Sequence, residues 1–168
     1  LRKLPYTSAF KAGAQNNRSK EPVHDACNRG HVEVVKFFIQ NGADVNLNVM
    51  GNDWKTPLHL ACKTGCFSVI EYLVQQGADV NGRNSWGLPP LVSIYAQPDV
   101  VRFPVSNGAA VNAQLMPDGQ TKLHEACADG GLELVRFLLD RGAALILLWK
   151  LTKRTKSSLE TQSNLQVI

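Results

Sequence analysis

Apolar side chains between Thr56 and Asn81 fall at helical spacing in two successive short runs, each closed by a glycine. In the first run Leu58, Ala61 and Cys62 share one face. Thr56 is a helix-capping residue, and Pro57 suits the first helical position, where a missing N–H has no partner to lose. The small Ala61 and Cys62 let a second helix approach closely. Gly65 supplies a left-handed turn, Val69, Ile70, Leu73 and Val74 form a second apolar stripe, and Gly77 ends it before Ala78, Asp79, Val80 and Asn81 lead out. The pattern predicts two short antiparallel helices, each with one face to bury.

A unit this small cannot bury its apolar face alone, so copies are expected. Residues 21–46 and 121–142 keep the same order of His, Ala-Cys, Gly, apolar pair and Gly. His24 precedes His59 by 35 residues and His124 follows it by 65, close to two units of about 33. The copy between them runs from Trp86 to Asn112, with Val92 in the histidine place. On these motifs the chain resembles the ankyrin-repeat family over residues 21–145. The resemblance implies an all-α fold with short β-hairpin loops, a solenoid of about four repeats of which one is degenerate. The repeats are placed at about 21–50, 51–83, 84–116 and 117–149 within a domain spanning 21–149. Phe10 to Asn17 mimic the end of a second helix and its exit, so the basic segment 1–20 is read as holding a remnant repeat.

The third copy breaks the pattern. Val92 to Gly108 spans 16 residues where His59 to Gly77 spans 18, so two are missing at the turn between helices. Ile94 and Tyr95 replace the small pair and are expected to push the helices apart. Pro98 can begin a second helix, but Pro104 lies inside it, where the lost hydrogen bond and ring clash cost about 3 kcal/mol or more. This repeat is expected to be the weak joint of the stack.

Composition changes little of this picture. The 168 residues are 44% hydrophobic, enough for one continuous core. The absence of a long apolar run argues against a membrane span. Leu1 is not an initiator methionine and no charged-then-apolar leader follows, so a fragment or processed chain without a secretory signal is expected. Three of the four cysteines (Cys27, Cys62, Cys66 and Cys127) share one small-residue slot, which reads as packing in a reducing compartment and places the chain inside the cell, in cytoplasm or nucleus. The net charge of +4 divides unevenly: residues 1–20 hold five basic residues and no acid, and residues 150–168 hold Lys150, Lys153, Arg154 and Lys156 against Glu160. The repeats are therefore mildly acidic and only the ends basic, with 150–168 expected to be a disordered tail.

The spacing His-x-x-Cys at His24 and Cys27, His59 and Cys62, and His124 and Cys127 could suggest zinc. Equivalent residues on stacked helices lie about 8–10 Å apart, whereas zinc draws its ligands to about 2.0–2.3 Å. In the family this histidine ties the turn of its own repeat, and the cysteine takes an alanine slot. No glycine-rich phosphate loop follows a strand, and no nucleophile has an orienting acid, so neither enzyme nor cofactor nor metal is expected. The resemblance implies a non-catalytic module that binds a protein or peptide through fingertip loops and a concave face. Candidate contacts are Trp54, Trp86 and Met116 on the connectors, and Asp25, Arg29, Leu60, Lys63, Glu125 and Asp129 on the first helices. Two alternatives remain open: a substrate receptor of a ubiquitin ligase, whose suppressor-of-cytokine-signalling box residues 146–168 do not resemble, and a nucleic-acid-associated adaptor using the basic ends. In ankyrin proteins an exit-loop Asn directly after Asp-Val and eight residues after Leu is a target class for oxygen-dependent hydroxylation. Leu73, Asp79, Val80 and Asn81 fit that motif, the alternative being an ordinary Asn that bonds its own loop.

Overall fold

The computed structural model describes residues 22–48, 54–95, 98–114 and 119–144; the expectations for the basic ends, the remnant repeat and Met116 lie outside them. Among the described residues there are seven α-helices and one 3-10 turn, without a sheet. They come in pairs: α1 Pro22–Arg29 with α2 Val32–Gln40, α3 Pro57–Thr64 with α4 Phe67–Gln75, the 3-10 turn Pro90–Ser93 with α5 Pro98–Ser106, and α6 Lys122–Ala128 with α7 Leu132–Asp140.

Local chemistry sets the ends of these elements. Thr56 caps α3 with its hydroxyl toward the His59 N–H, and Pro57 takes the first helical position. Gly65 closes α3 in the left-handed region at φ 68°. Each second helix ends in a Schellman turn: Gly77 N–H reaches Val74 O at 3.0 Å and Ala78 N–H reaches Leu73 O at 2.9 Å. The same pair of bonds closes α2, α5 and α7.

The second helices stand in file, α2 against α4, α4 against α5, α5 against α7, while α1 packs along α3 and α3 against the 3-10 turn. Between these two layers Val23, Leu58, Ile70, Leu73, Leu91, Ile94, Leu123 and Leu138 are sealed from solvent. The core is thus continuous along the stack, as a repeat that cannot bury its own face requires.

In the third repeat the first helix is reduced to four residues, and the expectation for Ile94 and Tyr95 needs correcting. After Ser93 the backbone is extended, with Ile94 at φ −81° and ψ 122°, so neighbouring side chains point to opposite sides. Ile94 turns fully inward, whereas Tyr95 turns outward and is 68% exposed rather than prising the layers apart. Pro98 does begin α5, with Pro104 inside it and buried. Had the first helix continued, the Ile94 carbonyl would have looked to the N–H of residue 98, and proline has none. The ammonium of Lys122 occupies that place. It donates to Ile94 O and to Glu125 Oε2, the latter at 2.6 Å, and only 2% of the residue is exposed.

Candidate protein-interaction surface

Two hydrogen-bond systems shape the loop edge of the stack. In the first, His59 Nε2 donates to the Leu88 carbonyl at 3.0 Å while its Nδ1 accepts from Thr56 N–H at 3.2 Å. A carbonyl can only accept, so the neutral ring carries its hydrogen on Nε2. Burial depresses its pKa, against the opposing bond to Leu88, with Lys55 adding to the depression. His24 makes the matching bond to Leu47 O at 2.9 Å, and Thr121 N–H reaches His124 Nδ1 at 3.1 Å. Val92 has no group that could do this.

The second system links each exit loop to the next. Asn46 donates to Gly77 O at 3.1 Å and accepts from Asp79 N–H at 2.8 Å. Asn81 repeats the pattern on Gly108 O at 2.9 Å and Ala110 N–H at 2.8 Å, and Asn112 on Gly142 O at 3.0 Å and Ala144 N–H at 2.8 Å. The asparagine therefore serves the following repeat. Its own loop is held by the aspartate two residues before it, whose carboxylate accepts the Asn46 or Asn81 N–H at 2.9 Å.

Between the second and third repeats the fingertip is a three-residue hairpin loop. Asn84 N–H donates to Leu88 O at 3.0 Å, Gly87 N–H to Asn84 O at 2.9 Å, and Asn84 Oδ1 accepts from the N–H groups of Trp86 and Leu88, both at 2.9 Å. Gly87 takes the left-handed position at φ 74°. With Asn84 buried and these four bonds closing the loop, Trp86 is lifted into solvent, 62% exposed. It forms one wall of a cleft of about 530 Å³ whose other lining residues include Arg83, Leu88, Pro89, Ala110 and Gln114. Arg83 lies across the loop and donates from Nη1 to Gly87 O.

A family model for ankyrin repeats in three copies matches residues 3–84, and a single ankyrin-repeat model matches residues 118–146. The chain belongs to the ankyrin-repeat family. The interval between the two matches contains the ankyrin unit whose first helix has collapsed to a 3-10 turn. No curated protein matches the chain. Ankyrin repeats are generally protein–protein interaction modules. No helix among the described residues is long and apolar enough to cross a membrane.

Within this ankyrin stack the predicted contacts divide. Trp54 is 49% exposed, in the left-handed region at φ 49°, and Trp86 projects as described; the Trp86 cleft does not include Trp54. Arg29, Lys63 and Asp129 are exposed and Asp25 is half-buried. Met116 lies outside the described residues. Leu60 is a correction: it is 4% exposed, because α3 is packed by α1 on one side and the 3-10 turn on the other, and no partner reaches it. Glu125 is half-buried and committed to Lys122. Arg83, Tyr95 and Gln114 were not among the predicted contacts. Arg83 stood one residue before the Asn-x-Trp-Gly turn, a position that brackets the tryptophan once the loop is closed.

Proposed function

We propose that this ankyrin stack is a non-catalytic intracellular binding module that takes a protein or peptide partner on its fingertip loops and concave face. The observation that carries the reading is Trp86, a large ring held in solvent by a loop that four hydrogen bonds to Asn84 and Leu88 close. Trp is enriched among interface hot spots, where truncation costs at least about 2 kcal/mol of binding. Four free cysteines, two of them sealed in the core, fit a reducing compartment. The test is the double substitution Trp54→Ala with Trp86→Ala. It should leave the melting temperature nearly unchanged and abolish capture of the main cellular partner, with cross-links from that partner in the unsubstituted chain falling on residues 83–88. Leu73→Ala is the control, since a fully buried stripe residue should cost about 2–5 kcal/mol. A Trp pair that melts the stack as Leu73→Ala does would make the rings core and remove the binding surface.

A further inference from the structure

Resting on that reading, we infer that the cleft beside Trp86 is built for an extended acidic segment of the partner, one carboxylate on Arg83 followed by a proline or branched aliphatic residue against Trp86 and the Leu88–Pro89 floor. Three features converge. Arg83 is the only charged residue among those lining the cleft, and among the described residues no carboxylate pairs with it. One guanidinium N–H is held by Gly87 O, which aims the planar group and leaves the rest of its donor fork for a ligand. The remaining surface is apolar or amide: the exposed Trp86 ring, Leu88, Pro89, Ala110 and the Gln114 side chain. A guanidinium beside a flat aromatic wall and an apolar floor is complementary to a carboxylate with an apolar neighbour, and it repels a basic segment.

The walls are set before any ligand arrives. Asn84 fixes the Trp86 loop, and Asn81 fixes the opposite strand of chain through Gly108 and Ala110. Little ordering remains to be done on binding. The volume of about 530 Å³ lies within the range of natural ligand pockets. A nucleic acid is the less suited occupant. The described residues carry nine basic groups against ten acidic, and one guanidinium cannot neutralise the several phosphates on which such binding depends.

The experiment probes the folded chain on an array of short peptides in which two adjacent positions are fixed as Glu-Pro, Glu-Leu, Gln-Pro, Gln-Leu, Lys-Pro or Lys-Leu and the rest are randomised. The Glu spots should retain the chain at about tenfold lower concentration than their Gln counterparts, with the Lys spots weakest. Arg83→Gln should erase the Glu-over-Gln preference, Arg83→Lys should keep part of it, and Arg136→Gln, the same loss of charge at an exposed position that does not line the cleft, should not change it, all with unaltered melting temperatures. Amide shifts induced by a retained Glu peptide should map to residues 83–88 and 110–114. Absence of a Glu preference, or its survival in a natively melting Arg83→Gln chain, overturns the cleft's ligand chemistry. Peptides that map to Lys63 and Asp129 instead overturn the cleft while leaving the protein-binding reading intact. Tighter binding of single-stranded oligothymidine than of any Glu peptide at residues 83–88 assigns the cleft to nucleic acid and overturns the proposal. Failure of every peptide, together with partner capture unaffected by Trp86→Ala, overturns both readings.

Discussion

Lys122 offers the sharpest test of how the irregular repeat is held. Replacing it with Met keeps most of the apolar stem and removes the ammonium. The Ile94 carbonyl, in a residue with no solvent exposure, then loses its charged donor, a bond of the class that contributes about 1.5–3 kcal/mol. Glu125 also loses its partner, but its side chain is 31% exposed, so water replaces most of that interaction and the pair adds about 0–1 kcal/mol. Relief from burying an ammonium returns part of the sum, which leaves a net cost of about 2 kcal/mol. For a chain of this size that lowers the melting temperature by about 4–8 °C. Lys122→Pro is the informative companion, because it installs the residue found at Pro57 without supplying a donor, and it should cost at least as much. In a stack stabilised by neighbouring interfaces the damage should be local. Urea unfolding gives the total, and hydrogen exchange should show α6 and α7 opening faster while α1 to α4 keep their protection. A Lys122→Met chain within about 0.5 kcal/mol of the parent, or equal loosening of α3 and α6, would refute the role assigned to this side chain.

Other expectations follow from the same geometry. Because His59 has a folded pKa below the ordinary 6.5, the unfolded chain takes the proton first; its stabilisation is complete above about 6.5 and lost as pH falls through that value toward the folded one. The urea midpoint should therefore drop between about pH 7.5 and 5.5, and His59→Gln should shrink that drop; an equal drop in both chains rejects the assignment. Burial pushes the Cys27 and Cys62 thiols up to about 12, so a thiol reagent at mild pH should label exposed Cys127 in the native chain and reach Cys27 and Cys62 only on unfolding. Pro104→Leu places the residue found at Leu73 and Leu138 in a buried helical position and restores a backbone donor, so it should raise the melting temperature and slow exchange in α5; no change would mean that the surrounding packing has already absorbed the proline. Hydroxylation at Asn81 should add one oxygen to its peptide in oxygenated cells, and more so in Val69→Ala, because Leu73 is wholly buried and recognising it requires local opening, which a cavity at the neighbouring buried Val69 favours while Leu73 is kept; an unmodified Asn81 in both chains counts against the site.

The helix pairs, their caps and their glycine ends were legible in the sequence because each depends on residues only a few positions apart. Thr56 meets His59 three residues on, and the Schellman turns close within one helical turn. Repetition of that short code then fixed the stack. Side-chain exposure was another matter, because a surface position on an isolated helix becomes interior once neighbours flank it. Leu60 looked free on α3 and is buried between two elements. Tyr95 looked like a wedge, yet the extended backbone after Ser93 turned it outward. The burial of Lys122 depends on a carbonyl 28 residues earlier, left without a donor by Pro98. The Trp86 cleft depends on bringing residues 81–89 against residues 110–114 through the Asn81 bridge, a contact between repeats that neither segment encodes alone.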